Sequence, residues 1–440
     1  MKYYSTNGKA PIADLHKAVV KGLAEDRGLY MPEKINKLPK EFFDNIEKMS
    51  FQEIAYTVAS AFFGEDVDPD ALHDIVYDTL QFDCPVVNVK DNIYTLELFH
   101  GPTLAFKDVG ARFMARLLQY FIKQENNHKE VNVLVATSGD TGSAVANGFL
   151  GVDGIHVYVL YPKGKVSPIQ ECQFTTLGKN ITAIEVDGVF DDCQALVKNA
   201  FMDAELNEHM KLTSANSINV ARFLPQAFYY FNAYARMKKI ANTQHLSPNT
   251  QLVMCVPSGN FGNICAALFG HEMGLPIKRF IAANNANDIF YNYLQTGKYE
   301  PKPSKQTLAN AMDVGDPSNF ARIYDLYGKS HAKITSLISG ATYSDEQIKA
   351  TMRECYKDSG YILDPHGACG YQALKDGLQA GEVGVFCETA HPAKFKEKVD
   401  DILGIDVEIP ERLAAFMRGQ KQSVPMSKDF ADFKAFLMKQ

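Results

Sequence analysis

Residues 253–270 read VMCVPSGNFGNICAALFG: an apolar run from Val253 to Val256, a turn Ser258-Gly259-Asn260-Phe261-Gly262-Asn263, then an apolar helical pattern from Ile264. A short apolar run that breaks at glycine and resumes with helical spacing is a strand, a turn and a helix. Glycines 259 and 262 let the backbone turn tightly and come close to a ligand. Several N–H groups then converge at a helix N-terminus, which suits a phosphate. The construction recurs in residues 133–149, VLVATSGDTGSAVANGF, where Ser138-Gly139-Asp140-Thr141-Gly142-Ser143 opens a helix and hydroxyls at 137, 138, 141 and 143 add donors for a carboxylate or phosphate. A third stretch, SANSINVAR at 214–222, leads polar donors at Asn216 and Ser217 into a helical aromatic run with Arg222 one turn in. Arginine forms a charge-assisted fork to phosphate. Each stretch also has an ordinary reading, since α/β proteins need tight turns, Ser and Asn cap helices, and Arg222 could pair with a surface carboxylate.

Working outward, the texture from Val86 on is of short apolar runs alternating with helical patterns, and the fold class is α/β. Expected strands lie at 131–135, 155–160, 181–186, 252–256, 280–283 and 383–387. Residues 1–95 look mainly helical, with helical periods at 12–22, 51–63 and 71–80 and a helix start at Asp68-Pro69-Asp70. The expected order is a helical region at 1–95, an α/β lobe at 96–245 and a second at 246–440, with the polar stretch 241–250 as the boundary. The closing pattern Phe430, Phe433, Phe436 and Leu437 is expected to pack on the body.

At 440 residues the chain is long enough for more than one core, and a net charge of -7 without a basic tract argues against nucleic acid as the partner. The 8 cysteines are scattered without a CxxC pair, which reads as buried hydrophobes in a reducing compartment, the cytoplasm. The first residues lack the apolar core of a signal peptide, and no apolar run is long enough to span a membrane. His100, His366 and His391 lack metal-ligand spacing, so no metal is expected. Neither GxGxxG nor GxxxxGK[ST] occurs at the turns, which speaks against dinucleotide and P-loop chemistry.

Lys107 stands in LELFHGPTLAFKDVGARFMARLL, residues 96–118, after the broken loop His100-Gly101-Pro102-Thr103 and at the head of a helical pattern Val109, Phe113, Leu117 and Phe121. The positive end of a helix disfavours a second cation there and pushes a lysine towards its neutral amine, the form that Schiff-base chemistry needs. The ordinary alternative is a surface lysine with its stem over Phe106. In GVFCETAHPAKF, residues 384–395, Glu388, Thr389 and His391 lie at a strand's carboxyl end, where open sheets build sites. Thr389 either donates to a ring nitrogen or caps the helix before Pro392.

Taken in order, FHGPTLAFKD, ATSGDTGSAVA, YPKGKVSPIQ, SANSINVARFLPQ, PSGNFGN, NAMDVGDPSN and ETAHPAKFKE resemble the threonine synthases, a fold-type II family of pyridoxal-phosphate enzymes, over essentially the whole chain. The resemblance implies a fold like that of the tryptophan synthase β chain, with two open α/β lobes and a helical N-terminal region. It implies pyridoxal 5'-phosphate as cofactor, Lys107 as its Schiff-base lysine, Gly259, Asn260, Phe261, Gly262 and Asn263 as its phosphate loop, and Thr389 as partner of the pyridine nitrogen. Ser138, Gly139, Asp140, Thr141, Asn216, Ser217 and Arg222 would hold the two acidic ends of O-phospho-L-homoserine, which reacts with water to give L-threonine and phosphate. Three anion sites match that substrate plus cofactor; a dehydratase needs two, and a phospholyase or dehydratase that releases a 2-oxoacid is the rival. The expected assembly is a monomer or homodimer. Departures are Arg27, where glycine is expected in an N-terminal turn, and Cys265 just past the phosphate loop.

Overall fold

The computed structural model describes residues 1–127, 129–244 and 249–440. The chain forms two compact units, each gathered from separated stretches. The first contains Met1, Met31–Gly101 and Phe223–Glu408; the second contains Lys2–Tyr30, Pro102–Arg222 and Ile409–Gln440.

The first unit is built on a six-stranded sheet in the order Ile338–Thr342, Arg279–Asn284, Gln251–Pro257, Glu382–Glu388, Ile93–Glu97, Val86–Lys90. All neighbours are parallel except the last pair, which is antiparallel. The central strands Gln251–Pro257 and Glu382–Glu388 are buried along nearly their whole length, as parallel strands covered on both faces must be. Glu382 is tolerated there because Arg279 and Lys278 hold it at 2.7 and 3.0 Å. The helix Phe51–Phe63 starts at a reciprocal cap between Ser50 and Glu53, and Pro69–Thr79 starts where Asp68 accepts from the Asp70 and Ala71 N–H groups.

The second unit carries a five-stranded parallel sheet in the order Val424–Met426, Ile181–Val186, Ile155–Pro162, Val131–Ala136, Lys211–Ser214. Phe433 and Leu437, from the closing helix Phe430–Leu437, are buried in one core with Leu134, Leu160, Ile184 and Leu196. That is the packing expected of the C-terminal pattern. The N-terminal stretch is held by Asp26, whose carboxylate accepts from Ser5 Oγ at 2.6 Å and from the N–H groups of Gly28, Lys9 and Ala10 at 2.8–2.9 Å.

The six expected strands form, extended by a residue or two at most ends. Strands at Lys211–Ser214 and Ile338–Thr342 were not expected, because each is short and carries Thr, Ser or Gly in place of a long apolar run. The two units divide the chain differently from the three consecutive parts expected at 1–95, 96–245 and 246–440. The physical reason is pairing: Ile93–Glu97 lies beside Glu382–Glu388, so segments nearly 300 residues apart share one sheet. Of the boundary expected at 241–250, residues up to Gln244 continue the helix Ala227–Gln244, and 245–248 lie outside the described residues. Arg27, where the resemblance led to glycine being expected, has φ 67°, a left-handed backbone that glycine adopts without steric cost.

Burial alone would raise the Asp26 carboxyl, but the four hydrogen bonds outweigh it and hold it down to about 2. Its stabilising contribution is therefore present above the unfolded carboxylate range and is lost as pH falls through about 2. Asp26→Asn is expected to speed hydrogen exchange of the Lys9, Ala10 and Gly28 amides at pH 7, by a factor corresponding to about 1 kcal/mol. Unchanged exchange would show that the turn holds without the charge.

Candidate active site

In the second unit the helix Lys107–Gln124 begins at Lys107, with no side-chain cap at Phe106. The preceding loop is locked onto the first helical turn, where the Thr103 N–H and hydroxyl donate to Asp108 at 2.9 and 2.5 Å and Gln173 Nε2 donates to the Thr103 carbonyl at 3.2 Å. Asp108 is spent on this lock and buried. The Lys107 amine is 5.5 Å from the Phe106 ring centre, and the residue is half-buried. One turn on, Gly110 lets Arg222 approach: a Cβ there would stand 2.2 Å from the Arg222 carbonyl oxygen and 3.2 Å from its Nε. Arg222 is 1% exposed, and its Nη1 donates to the Ala215 carbonyl.

Sheet register gathers the other residues of this unit. Val131–Ala136 and Lys211–Ser214 are parallel neighbours, with Leu134 opposite Ser214, so the turns that follow them leave the same edge. Asn216 Nδ2 reaches the Ala136 carbonyl at 3.4 Å. In the other turn Gly139 adopts φ 144°, and Thr137 Oγ1 accepts from the Gly139 and Gly142 N–H groups at 2.9 and 2.8 Å. The hydroxyls of Ser138 and Thr141 make no hydrogen bond to other described residues and are partly exposed. Gln170 lies over Gly139 and donates to Asp140 at 2.9 Å, a role that its place in YPKGKVSPIQ did not reveal. Lys107, Ser138 to Thr141, Asn216, Ser217 and Arg222 all fall within this unit.

In the first unit the neighbouring parallel strands Gln251–Pro257 and Glu382–Glu388 deliver Ser258–Asn263 and Thr389 to one edge. Gly259 is pressed against the chain at 311–312, where a Cβ would meet the Ala311 carbonyl oxygen at 2.5 Å. Asn260 is clamped from outside: its Oδ1 accepts the Ser318 N–H at 2.7 Å and its carbonyl accepts Asn319 Nδ2 at 3.1 Å. Phe261 takes φ 65° and buries its ring 4.5 Å from that of Phe290, so packing holds a backbone that costs a side-chain residue about 1–2 kcal/mol. The helix Gly262–Glu272 follows.

Asn263, 6% exposed, accepts the Tyr229 and Tyr230 hydroxyls on Oδ1 at 2.6 and 2.5 Å. Two donors on the oxygen fix the amide's orientation. Its Nδ2 is buried with no hydrogen-bond partner among the described residues. Neither tyrosine was singled out from sequence, where both read as part of an aromatic core helix. Thr389 is 6% exposed and does not cap the helical turn Pro392–Phe395; that cap is His391, whose Nδ1 accepts the Ala393 N–H at 3.0 Å. Burial, then the nearby His100, pushes His391 down to about 4, so it is neutral at pH 7 with its proton on Nε2. Burial pushes the Cys265 thiol up to about 12, so it is an inert hydrophobe beside the turn. Among the described residues no cluster of His, Cys, Asp or Glu is arranged to hold a metal, and no helix is long and apolar enough to cross a membrane.

Known proteins have the same assembly of elements. The family described as pyridoxal-phosphate dependent enzyme matches residues 82–387, flanked by matches to the threonine synthase N terminus at 2–80 and C-terminal region at 367–437. The threonine synthase of Serratia marcescens is 44% identical over 438 residues, covering 100% of this chain and 99% of its own. This chain belongs to the threonine synthase family.

A crystal structure of threonine synthase from Escherichia coli superposes with a TM-score of 0.92 at 43% identity, covering 100% of both chains. One from Brucella melitensis, described as pyridoxal-phosphate-bound, gives 0.91 at 34% identity, covering 100% of this chain and 99% of that one. The fold is therefore fold-type II, and the chain is a pyridoxal-phosphate-dependent lyase. Its own residues fit that cofactor. A threonine synthase needs a donor-lined cradle for the cofactor phosphate and an amine for its aldehyde. The turn at 258–263, with the orphaned Asn263 Nδ2, has the donors that a phosphate takes, and Lys107 is an amine at a helix head.

Proposed function

We propose that this chain converts O-phospho-L-homoserine and water into L-threonine and inorganic phosphate. The carbon–oxygen bond to phosphate breaks at Cγ and a new carbon–oxygen bond forms at Cβ with oxygen from water, so one water is consumed for each phosphate released. The observation that carries this reading is Arg222, a guanidinium buried beside Gly110 in the helix that Lys107 begins. A dehydratase of the same cofactor family has no substrate phosphate to hold, whereas a buried guanidinium suits a dianion.

Pyridoxal phosphate, when bound, supplies an aldehyde that condenses with amines and a ring that withdraws electrons. The chain's residues do the rest. Lys107 anchors the cofactor and its neutral amine takes the substrate α-proton and carries later protons. Gly259, Asn260, Phe261, Gly262 and Asn263 hold the cofactor phosphate through backbone N–H groups and the Asn263 amide. Thr389 would pair with the pyridine nitrogen through a neutral hydroxyl. Ser138, Gly139, Asp140 and Thr141 hold the substrate carboxylate, while Asn216, Ser217 and Arg222 hold its phosphate and stabilise charge as it leaves. The chain works in the cytoplasm as a monomer or homodimer; its eight cysteines, seven of them buried and none in a disulfide among the described residues, accord with a reducing compartment.

Product analysis tests the reaction: cofactor-loaded protein given O-phospho-L-homoserine should release threonine and phosphate in equal amounts. Phosphate accompanied by 2-oxobutanoate and ammonia would make it a phospholyase. Lys107→Ala should abolish both turnover and the absorbance of protein-linked cofactor, and retained turnover would remove the lysine from its role. Arg222→Leu should lower kcat/KM at least about a hundredfold with cofactor binding intact, the loss of one strong charged contact in the transition state. Asn263→Asp places a negative charge in the cradle and should weaken pyridoxal-phosphate binding at least about tenfold.

A further inference from the structure

A chain of buried polar groups lies behind the Ser258–Asn263 turn, in the same unit, and the reaction above does not use it. Asp364 caps the helix Pro365–Gly377, accepting the Gly367 N–H at 2.7 Å, and its other oxygen faces His366 Nδ1 at 2.5 Å. The opposite ring nitrogen, His366 Nε2, accepts the Ala311 N–H at 3.1 Å. A backbone N–H only donates, so Nε2 carries no proton and the ring's single proton sits on Nδ1, given to Asp364. The tautomer is thus set from both sides. Both residues are almost fully buried, and the His366 ring is 5.2 Å from that of Phe395.

Glu388, the residue before Thr389, closes the chain. Its Oε1 accepts the Asp364 N–H at 2.8 Å, while Oε2 is buried and has no hydrogen-bond partner among the described residues. Gly367 makes room for it, since a Cβ there would fall 1.8 Å from Oε2. Burial, and then the charge of Asp364, hold the Glu388 carboxyl well above the usual range, so of the two acids Asp364 is the anion and Glu388 the neutral one. The far end of the chain is the short turn Asn310–Met312, whose backbone at 311–312 is the wall against which Gly259 rests.

We propose that His366 is a positioning residue for the cofactor-phosphate cradle: fixed in one tautomer by Asp364, it pins the Ala311 N–H and so holds the wall that shapes the turn at Gly259. This inference rests on the reading of 259–263 as the phosphate cradle. It also joins the cradle to the end of the strand that presents Thr389, through Glu388.

The test titrates apoprotein with pyridoxal phosphate and records the dissociation constant and the phosphorus resonance of the bound cofactor, with thermal unfolding of each apoprotein as the folding control. His366→Ala leaves the Ala311 N–H without its acceptor. Asp364→Asn keeps the shape and an oxygen, but in either amide orientation one N–H faces another. Both should weaken binding at least about fivefold, and both should move the phosphorus resonance. His366→Gln restores an acceptor near the position of Nε2 and should recover binding to within about fivefold of the parent. Binding by either of the first two variants within about fivefold of the parent overturns the proposal. So does failure of His366→Gln to recover, because a merely space-filling histidine would not distinguish Gln from Ala by its acceptor. If His366→Ala does not fold, Asp364→Asn and His366→Gln decide. The Asn263→Asp variant separates the two levels: if it binds cofactor normally, the cradle reading falls and this inference with it. If it loses binding while the His366 and Asp364 variants do not, only the positioning role falls.

Discussion

The first unit's chemistry depends on one pairing, that of Glu382–Glu388 between Gln251–Pro257 and Ile93–Glu97, in which Phe386 faces Cys255 on one side and Thr95 on the other. Because all three strands are parallel, their carboxyl ends fall on one edge, and whatever residues come next are neighbours without further design. The glycine turn at 258–263 and the hydroxyl of Thr389 are those residues. A slip of one residue would turn every side chain of the central strand to the other face and bury Thr389 in the wrong layer. The register is secured by burial on both faces and, at the far end of the strand, by Glu382 between Arg279 and Lys278. The second unit repeats the logic: Val131–Ala136 beside Lys211–Ser214 brings the turn at 137–143 next to Asn216.

Electrostatic economy is the second constraint on the anion cradle proposed at 258–263. A carboxylate next to such a cradle would oppose its ligand, so the acids near the turn must be neutral, paired or pointed elsewhere. Glu388 is held neutral, Asp364 is spent on His366 and a helix cap, and His391 is neutral and occupied as a cap. Asp313, close to His366, is pushed up to about 6 by burial and takes hydrogen bonds from Thr307 and Asn285. The donors are arranged the opposite way: the two tyrosine hydroxyls saturate the oxygen of Asn263 and leave its amide nitrogen over.

Much of this was legible in the sequence for a physical reason. Strands covered on both faces are continuous apolar runs, and turns that aim N–H groups at a ligand need glycine, so 131–136, 251–257 and the turns after them announce themselves. What stayed hidden follows from the same reasoning. Lys211–Ser214 is four residues long with Leu212 as its one long apolar side chain, and periodicity cannot see it. The cap before Pro392 was one reading of Thr389 and is made by His391, a choice that only the backbone decides. Tyr229 and Tyr230 look like core residues, and they are, except for the two hydroxyls that converge on Asn263. The run of bonds from Ala311 to His366, from His366 to Asp364 and from Asp364 to Glu388 spans 77 residues of chain, and no local pattern encodes it.

The left-handed residues separate two kinds of departure from local preference. Arg27 is exposed, makes no hydrogen bond with its side chain among the described residues, and sits in a turn that Asp26 holds by four hydrogen bonds; its strain is offset by its neighbour's contacts and serves the fold. Phe261 is buried, anchored on Phe290, and stands between the two glycines of the cradle, where its φ of 65° directs the chain into the helix Gly262–Glu272. A glycine would adopt that angle at no steric cost, but it would leave the angle free to vary. The phenylalanine exchanges a small conformational penalty for a turn with one shape, and the phosphate cradle proposed for this turn gains from having only one.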